Sequence, residues 1–257
     1  MKRRLLFIVS VVFVLMSFIV QKQKPVLYII GDSTVKNGSG NGGSGLWGWG
    51  SFMQPYFQSK KITVENRAIG GRSSRTFITE GRWNDILKTL KKGDYVMMQF
   101  GHNDSGPLDD TARARGTIKG IGDEYKDTYN PIRKIDERVY TYGHYLRQYV
   151  NDAKAKGAVA IICSPIPRNN FKNGKVVRGN EDYGLWAKQI ATETGAYFID
   201  LNNKIADDYD KLGSEAVNKF FPKDHTHPNM EGSKLNVQKV IEGIKQLKGC
   251  KLKKYLK

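Results

Sequence analysis

Short apolar segments alternate with longer amphipathic segments along this chain after Pro25. Five segments have the length and composition of buried strands, and polar residues or glycine follow each one: 26–30, 62–66, 95–100, 159–164 and 197–201. Five others have helical periodicity: 49–58, 82–90, 137–156, 182–193 and 229–247. This order predicts an α/β fold in which a five-stranded, mostly parallel sheet lies between two helical layers, in a single domain over residues 25–257.

Residues 105–135 break the alternation. They contain glycine, threonine, aspartate and aromatic residues with neither a clear strand period nor a clear helix period. A segment of this length without its own periodicity is commonly functional. Because it follows the carboxyl end of a predicted strand, where open α/β sheets bind ligands, we expect it to form a wall of a substrate groove.

The first 24 residues are organised like an export signal. Lys2, Arg3 and Arg4 precede an apolar run over residues 5–20, and a polar stretch begins at Gln21. An uncleaved membrane anchor is the alternative, although the run is short for a bilayer span. Either case places residues 25–257 outside the cytoplasm, secreted or periplasmic.

The chain is strongly basic, with a formal net charge of +17. Beyond residue 24 there remain 37 basic and 25 acidic residues, a net charge of +12. Such a surplus favours a polyanionic partner, and outside the cell this class includes acidic polysaccharide, anionic lipid and nucleic acid. Two cysteines, Cys163 and Cys250, are too few for a disulfide framework, and we interpret both as unpaired.

Ser33 is the first candidate for chemistry. It lies in Gly-Asp-Ser-Thr directly after the first predicted strand, on a turn that exposes its hydroxyl. Gly-Asp-Ser is also ordinary turn chemistry, and a serine hydroxyl is a poor nucleophile without a positioned base. Catalysis at Ser33 therefore depends on a histidine that can reach it.

The histidine best placed for that role is His227. It lies three residues after Asp224 in an irregular stretch before the last helix, so the carboxylate can hold Nδ1–H and leave Nε2 facing Ser33. His225, adjacent to the aspartate, is expected to point elsewhere, and His144 lies within a predicted helix. We expect Ser33, His227 and Asp224 to form a catalytic triad.

Two further strand ends offer donors for an oxyanion. Gly71 lies in a Gly-Gly pair after the second strand, and Asn103 lies in Gly-His-Asn-Asp after the third. A glycine N–H approaches a substrate unobstructed, and an asparagine amide donates without a competing charge. With the backbone N–H of Ser33, they are the predicted oxyanion hole.

Four sequence blocks together resemble a known family. Gly-Asp-Ser, a glycine in a second loop, Gly-His-Asn-Asp and Asp-x-x-His occur in the order found in SGNH (GDSL-like) hydrolases, over most of residues 25–245. Within that superfamily, Gly-Gly-Arg-Ser-Ser-Arg (70–75), residues 115–124 and Lys-Asp-His-Thr-His-Pro look like rhamnogalacturonan acetylesterases. The resemblance implies a flavodoxin-like αβα sandwich, no metal or organic cofactor, and removal of acetyl groups from the pectin backbone through a serine acetyl-enzyme.

The expected partner is thus an acetylated acidic polysaccharide rather than nucleic acid, bound by a monomer that touches no membrane beyond a possible N-terminal anchor. Candidate substrate contacts are the aromatic and basic residues in or near loops at the sheet's carboxyl end, which can stack on sugars or pair with uronates. They are Trp47, Trp49, Arg72, Arg75 and Arg168.

Other functions stay open at this point. The same triad serves esterases of other acylated sugars, such as acetylxylan, and hydrolases of lipids or acyl thioesters. Gly31-Asp32, Gly-His-Asn-Asp104 and His225-x-His227 superficially resemble a two-metal phosphoesterase, although the first strand lacks the histidine such a site would use. A non-catalytic binder of anionic polysaccharide is the third class, and the complete set of triad and oxyanion residues argues against it.

Overall fold

A five-stranded parallel sheet forms the centre of the computed structural model, which describes residues 23–36 and 42–257. In chain order its strands are β1 (Val26–Gly31), β2 (Thr63–Asn66), β3 (Tyr95–Gln99), β6 (Val159–Cys163) and β9 (Tyr197–Ile199). Their order across the sheet is β2-β1-β3-β6-β9, so β1 has a neighbour on each side. Each agrees with a strand predicted from sequence to within two residues at either end.

Seven α-helices accompany the sheet in the described residues. They are α1 (Ser74–Thr79), α2 (Arg82–Thr89), α3 (Tyr142–Ala155), α4 (Tyr183–Thr194), α5 (Leu201–Leu212), α6 (Ser214–Asn218) and α7 (Met230–Gln246). Sequence periodicity missed α1, α5 and α6. Both α1 and α5 begin at side-chain caps, with Ser73 accepting from the N–H of Thr76 and Asp200 from that of Asn203.

Alternate residues of each central strand pack into two separate apolar layers. On β1, Leu27 and Ile29 face a cluster that includes α5 and α7, whereas Tyr28 and Ile30 face one built with α1 to α4. Successive side chains of a strand point to opposite faces, so a sheet covered on both faces consists of near-continuous apolar strands. The structure confirms the predicted three-layer αβα fold.

One predicted helix was wrong, and another was confirmed except for its first five residues. Residues 49–58 form two short 3₁₀ helices, Trp49–Phe52 and Gln54–Tyr56, because Pro55 disfavours α geometry at the residue before it. The helix predicted to begin at residue 137 begins at Tyr142 instead. Thr141 caps α3 by accepting the N–H of His144, and the preceding residues belong to a strand.

That strand is the second of a hairpin that begins inside the segment predicted as irregular and ends after it. β4 (Tyr125–Asn130) pairs antiparallel with β5 (Ile135–Tyr140), and a second small hairpin joins β7 (Phe171–Lys172) to β8 (Lys175–Val176). Val139 and Asn130 are buried on the inner side of the first hairpin. Residues 105–124 remain irregular and lie between β3 and this hairpin.

Both cysteines are free and buried, Cys163 at the end of β6 and Cys250 after α7. Among the described residues, no helix combines the length and apolar character needed to cross a bilayer. The predicted leader over residues 1–24 falls almost entirely outside the described residues.

Candidate active site

The turn that carries Ser33 is fixed by the residues on either side. A Cβ at Gly31 would lie 2.5 Å from the carbonyl oxygen of Gln99, so only glycine lets the chain leave β1 here. Asp32 Oδ1 then accepts the backbone N–H and the hydroxyl of Thr34, both at 2.8 Å. Ser33 is consequently held at the carboxyl end of β1 with 8% of its surface exposed.

A buried network supports this turn from within the core. Gln99 at the end of β3 donates from Nε2 to the Thr34 hydroxyl at 2.6 Å and accepts the indole N–H of Trp49 at 2.9 Å. Trp49 is completely buried, so its predicted contact with substrate was wrong: its ring packs in the core and its only donor is occupied. Sequence analysis did not identify Gln99, whose one signal was a polar side chain at the end of an apolar strand.

Ser33, His227 and Asp224 meet although 194 residues separate the serine from the histidine. Ser33 Oγ lies 2.8 Å from His227 Nε2, and His227 Nδ1 lies 2.8 Å from Asp224 Oδ2. A carboxylate on Nδ1 selects the imidazole tautomer whose Nε2 can accept a proton from the serine. The arrangement has the geometry of a nucleophile, a general base and a group that orients the base.

Asp224 is held in its ionised form. Burial raises the pKa of its carboxyl, but bonds from the His227 ring and from the backbone N–H groups of Thr226 and His227 outweigh that effect and lower the pKa below its ordinary value. The two N–H groups donate to Oδ1 at 2.7 and 2.8 Å, leaving Oδ2 for the imidazole. The negative charge that stabilises an imidazolium is thus present at neutral pH.

The loop before α7 is anchored on both sides. His225 points away from Ser33, and its Nε2 accepts from Arg168 Nη1 at 3.1 Å. The carbonyl oxygen of His225 accepts the N–H of Asn169 at 2.7 Å, and that of Pro228 accepts the N–H of Trp47 at 2.9 Å. These contacts fix the position of His227 relative to β1.

Gly71 and Asn103 face the same groove as Ser33. Gly71 has a φ of +78°, a left-handed conformation that favours glycine. Asn103 is 7% exposed and donates from Nδ2 to the carbonyl oxygen of Arg72 at 2.9 Å, which leaves its second amide hydrogen for a ligand. The loops after β2, β1 and β3 thus bring three potential oxyanion donors to one edge of the sheet.

Two titratable residues flank Asn103 in the chain. Burial lowers the pKa of His102 to about 4, and burial raises the pKa of Asp104 to about 7 despite bonds from the N–H and hydroxyl of Ser74. At neutral pH the His102 ring is therefore neutral, and a large fraction of Asp104 is protonated.

The groove around Ser33 has a volume of about 700 Å³, and most of its described lining residues are polar or charged. Leu46, Ala112 and Ile132 are its apolar members among the described residues. The remaining lining residues are Ser33, Ser44, Gly70, Gly71, Arg72, Thr76, Glu80, His102, Asn103, Arg113, Arg115, Arg168, Thr226 and His227.

The five predicted substrate contacts have different environments. Arg72 and Arg168 line the groove, and Arg72 is paired with Glu80 at 2.8 Å. Trp47 is half-buried against Phe52, with ring centroids 5.1 Å apart, and is not among the groove residues.

Arg75 was wrongly predicted to contact substrate, because its side chain is completely buried. Its guanidinium pairs with Glu137 on β5 and donates to the backbone carbonyls of Ala114 and Gly116 at 2.7 Å. Arg75 therefore anchors the irregular segment to α1. Sequence indicated its charge but not the direction of its side chain.

The irregular segment supplies one wall of the groove, as expected. Ala112, Arg113, Arg115 and Ile132 come from it. Sequence analysis did not single out Arg113 or Arg115, although two arginines one residue apart in a predicted groove wall were an available signal. Across residues 23–36 and 42–257, no three His, Cys, Asp or Glu side chains are grouped as metal ligands.

The chain is similar to several known proteins. The model of the GDSL-like lipase/acylhydrolase family matches residues 29–235. A rhamnogalacturonan acetylesterase of Emericella nidulans is 33% identical over 219 residues, which cover 85% of this chain and 84% of the relative. The Bacillus subtilis protein YesY, named a probable rhamnogalacturonan acetylesterase, is 33% identical over 86% of this chain and 93% of its own.

A solved structure is also similar. The Bacillus subtilis protein YxiM superposes with a TM-score of 0.70 at 26% identity over 87% of this chain. The chain spans 57% of that structure's length, little more than half.

Proposed function

The chain belongs to the GDSL-like lipase/acylhydrolase family and is a carboxylic-ester hydrolase of that family, and on this premise we propose that it removes acetyl groups from pectic rhamnogalacturonan. The observation that carries the proposal is the 2.8 Å contact of Ser33 Oγ with a His227 ring that Asp224 orients. The two relatives at 33% identity bear names for this activity.

In the proposed reaction, Ser33 Oγ attacks the acetyl carbonyl carbon as its proton passes to His227 Nε2. The oxyanion accepts hydrogen bonds from the N–H groups of Ser33 and Gly71 and from the Asn103 amide. The carbon–oxygen bond to the sugar then breaks, and His227 gives the proton to the leaving sugar oxygen, which becomes a hydroxyl. A water molecule, deprotonated by His227, then attacks the carbonyl carbon of the acetyl-enzyme; the bond to Ser33 Oγ breaks, His227 returns the proton to Ser33 Oγ, and acetate leaves.

A sugar ester is favoured over a lipid or acyl thioester by the lining of the groove. A long acyl chain needs a continuous apolar channel, whereas only Leu46, Ala112 and Ile132 are apolar among the described side chains that line this groove. An acetyl group needs only a small space beside Ser33. An esterase of another acylated sugar, such as acetylxylan, remains the second candidate.

The test is acetate release from acetylated rhamnogalacturonan, acetylated xylan and a short lipid ester. We expect the first to be the best substrate and Ser33→Ala to lower its turnover by roughly 10⁵-fold or more. Ser59→Ala is the matched control, since Ser59 is exposed before β2, at the opposite edge of the sheet. Full activity of Ser33→Ala would refute the mechanism, and a preference for xylan or lipid would refute the substrate. Loss of activity on treatment with a chelator would favour the metal-dependent alternative.

We further propose that residues 1–24 direct export and that residues 25–257 act as one monomeric hydrolase domain, secreted or periplasmic. The basic start and apolar run support this. Cell fractionation and the N-terminal sequence of the extracellular or periplasmic protein test it. A product confined to the cytoplasm contradicts export, and a product retaining residue 1 in the membrane indicates an anchor.

A further inference from the structure

Three arginines differ from every other arginine in the described residues. Arg113, Arg115 and Arg168 have no carboxylate within ion-pairing distance, and all three line the groove at Ser33. The others are paired: Arg67 with Glu65, Arg72 and Arg82 with Glu80, Arg75 and Arg133 with Glu137, Arg138 with Asp127, Arg147 with Asp123 and Glu193, and Arg178 with Asp207 and Asp210. The arginines with uncompensated charge are thus gathered at the site of chemistry.

Neutral acceptors hold two of these guanidinium groups in place. Arg115 Nη1 donates to the carbonyl oxygen of Gly71 at 3.2 Å. Arg168 donates to His225 Nε2 at 3.1 Å and to the carbonyl oxygen of His102 at 3.3 Å. Such partners orient a guanidinium without cancelling its charge.

Arg113 is exposed, and its side chain makes no hydrogen bond within the described part of the chain. The nearby acidic group is Asp110, whose carboxylate is occupied by the backbone N–H groups of Ala112, Arg113 and Ala114. Burial, followed by repulsion from Arg113, lowers the pKa of Arg115. Arg113 and Arg115 therefore form a like-charged pair that an anion would relieve.

The sheet order places these charges on both sides of the nucleophile. Gly71, which Arg115 contacts, follows β2, while His102, which Arg168 contacts, follows β3. Since β1 lies between β2 and β3, the loop of Ser33 lies between the two charged positions. Among the described residues that line the groove, Glu80 is the one carboxylate, and it is already paired with Arg72.

We propose that Arg113 and Arg115 bind one uronate carboxylate of the substrate backbone and that Arg168 binds another on the opposite side of Ser33. The inference rests on the proposed function, which supplies the acetylated sugar residue that lies at Ser33 between the two uronates. The planar guanidinium fork matches carboxylate geometry, and a chain held at two points would present its acetyl group to Ser33. Specificity for acidic over neutral acetylated glycans would come from these residues.

The variants Arg113→Gln and Arg168→Gln test the two sides separately. Each should raise KM for acetylated rhamnogalacturonan by about tenfold with a smaller change in kcat, because a ground-state contact is lost. This increase in KM should be several times larger than the increase in KM for p-nitrophenyl acetate, which has no carboxylate. Arg168→Lys keeps the charge and should recover part of the affinity, and thermal unfolding of each variant checks its fold.

Arg138→Gln is the matched control. It removes the same charge from the exposed hairpin, where Arg138 is paired with Asp127 outside the groove. We expect its kinetic constants on both substrates to equal those of the wild type. An equal loss in Arg138→Gln would overturn the proposal, because net charge rather than these sites would then govern binding.

Inhibition separates this inference from the proposed function. Unacetylated oligogalacturonides should inhibit hydrolysis of p-nitrophenyl acetate more strongly than neutral xylo-oligosaccharides, and Arg113→Gln should raise that inhibition constant about tenfold. Equal inhibition by both sugars, or no change in the variant, refutes the arginine site. Inhibition without acetate release from acetylated rhamnogalacturonan refutes the proposed substrate and leaves the site standing.

Discussion

Asn103 is tied to the rest of the site by one side-chain bond, to the carbonyl oxygen of Arg72. Replacing it with alanine removes the donor proposed for the oxyanion, and we expect kcat for p-nitrophenyl acetate to fall by about 100-fold or more. Asn103→Asp keeps the size but carries a negative charge, and its loss should be greater. A kcat within threefold of wild type in Asn103→Ala, with an unchanged melting temperature, would exclude the role.

Asp104 makes stability depend on pH. Burial raises its pKa to about 7 from 3.8, so between these values the folded protein keeps a proton that the unfolded chain releases. Its contribution is fully present below pH 3.8 and is lost as pH rises through 7. Asp104→Asn retains the acceptor for Ser74 and cannot ionise.

The stability of Asp104→Asn relative to wild type should therefore increase between pH 4 and 8, by up to about 4 kcal/mol. Urea denaturation of both proteins across this range measures the difference. The depressed pKa of His102 acts in the opposite direction but is common to both proteins and cancels. A constant difference across the range would show that Asp104 ionises normally in the fold.

Sequence alone indicated Ser33, Asp224, His227, Gly71 and Asn103, all of which the structure brings to one place. Their residue types indicate the chemistry, and for Ser33, Gly71 and Asn103 the end of a predicted strand indicates the position. Arg75 and Trp49 misled because charge and aromaticity do not specify where a side chain points. Arg113 and Arg115 were missed because their significance depends on lacking carboxylate partners, which only a structure reveals.

At the scale of elements, the first turn of α3 depends on Thr141. Its hydroxyl accepts the N–H of His144 at 3.1 Å and donates to the carbonyl oxygen of Gly122. Thr141→Val leaves both groups without a partner and should cost about 2 kcal/mol of unfolding free energy. Thr141→Ser keeps the hydroxyl and should cost only about 0.8 kcal/mol for the lost methyl. Equal losses in urea denaturation would contradict the capping role.

The strands of the sheet were predictable because each is an uninterrupted apolar run buried on both faces. The hairpin of β4 and β5 was not, because Tyr125 and Tyr129 are exposed on its outer side whereas the polar Asn130 is buried on its inner side. Its inner residue Glu137 pairs with Arg75, far away in sequence. The periodicity of a local segment cannot reveal a contact with a distant residue. The prediction therefore assigned part of β5 and all of α3 to one helix.

At the scale of the whole molecule, the net charge of +12 beyond residue 24 should influence encounters with an acidic polymer. We expect kcat/KM for acetylated rhamnogalacturonan to fall several-fold as salt rises from about 0.01 to about 1 M, because the screening length shrinks from about 30 to about 3 Å. The value for p-nitrophenyl acetate should change little. The same salt dependence for both substrates would indicate an effect of salt on the enzyme itself.

The long separation in sequence between Ser33 and His227 has a consequence for biosynthesis. A ribosome must add 194 residues after the nucleophile before the base exists, and α7, which fixes the loop of His227, comes later still. A nascent chain that stops before residue 227 therefore lacks the base of the triad. The nucleophile is therefore among the first residues of the fold to be synthesised, and its base is among the last.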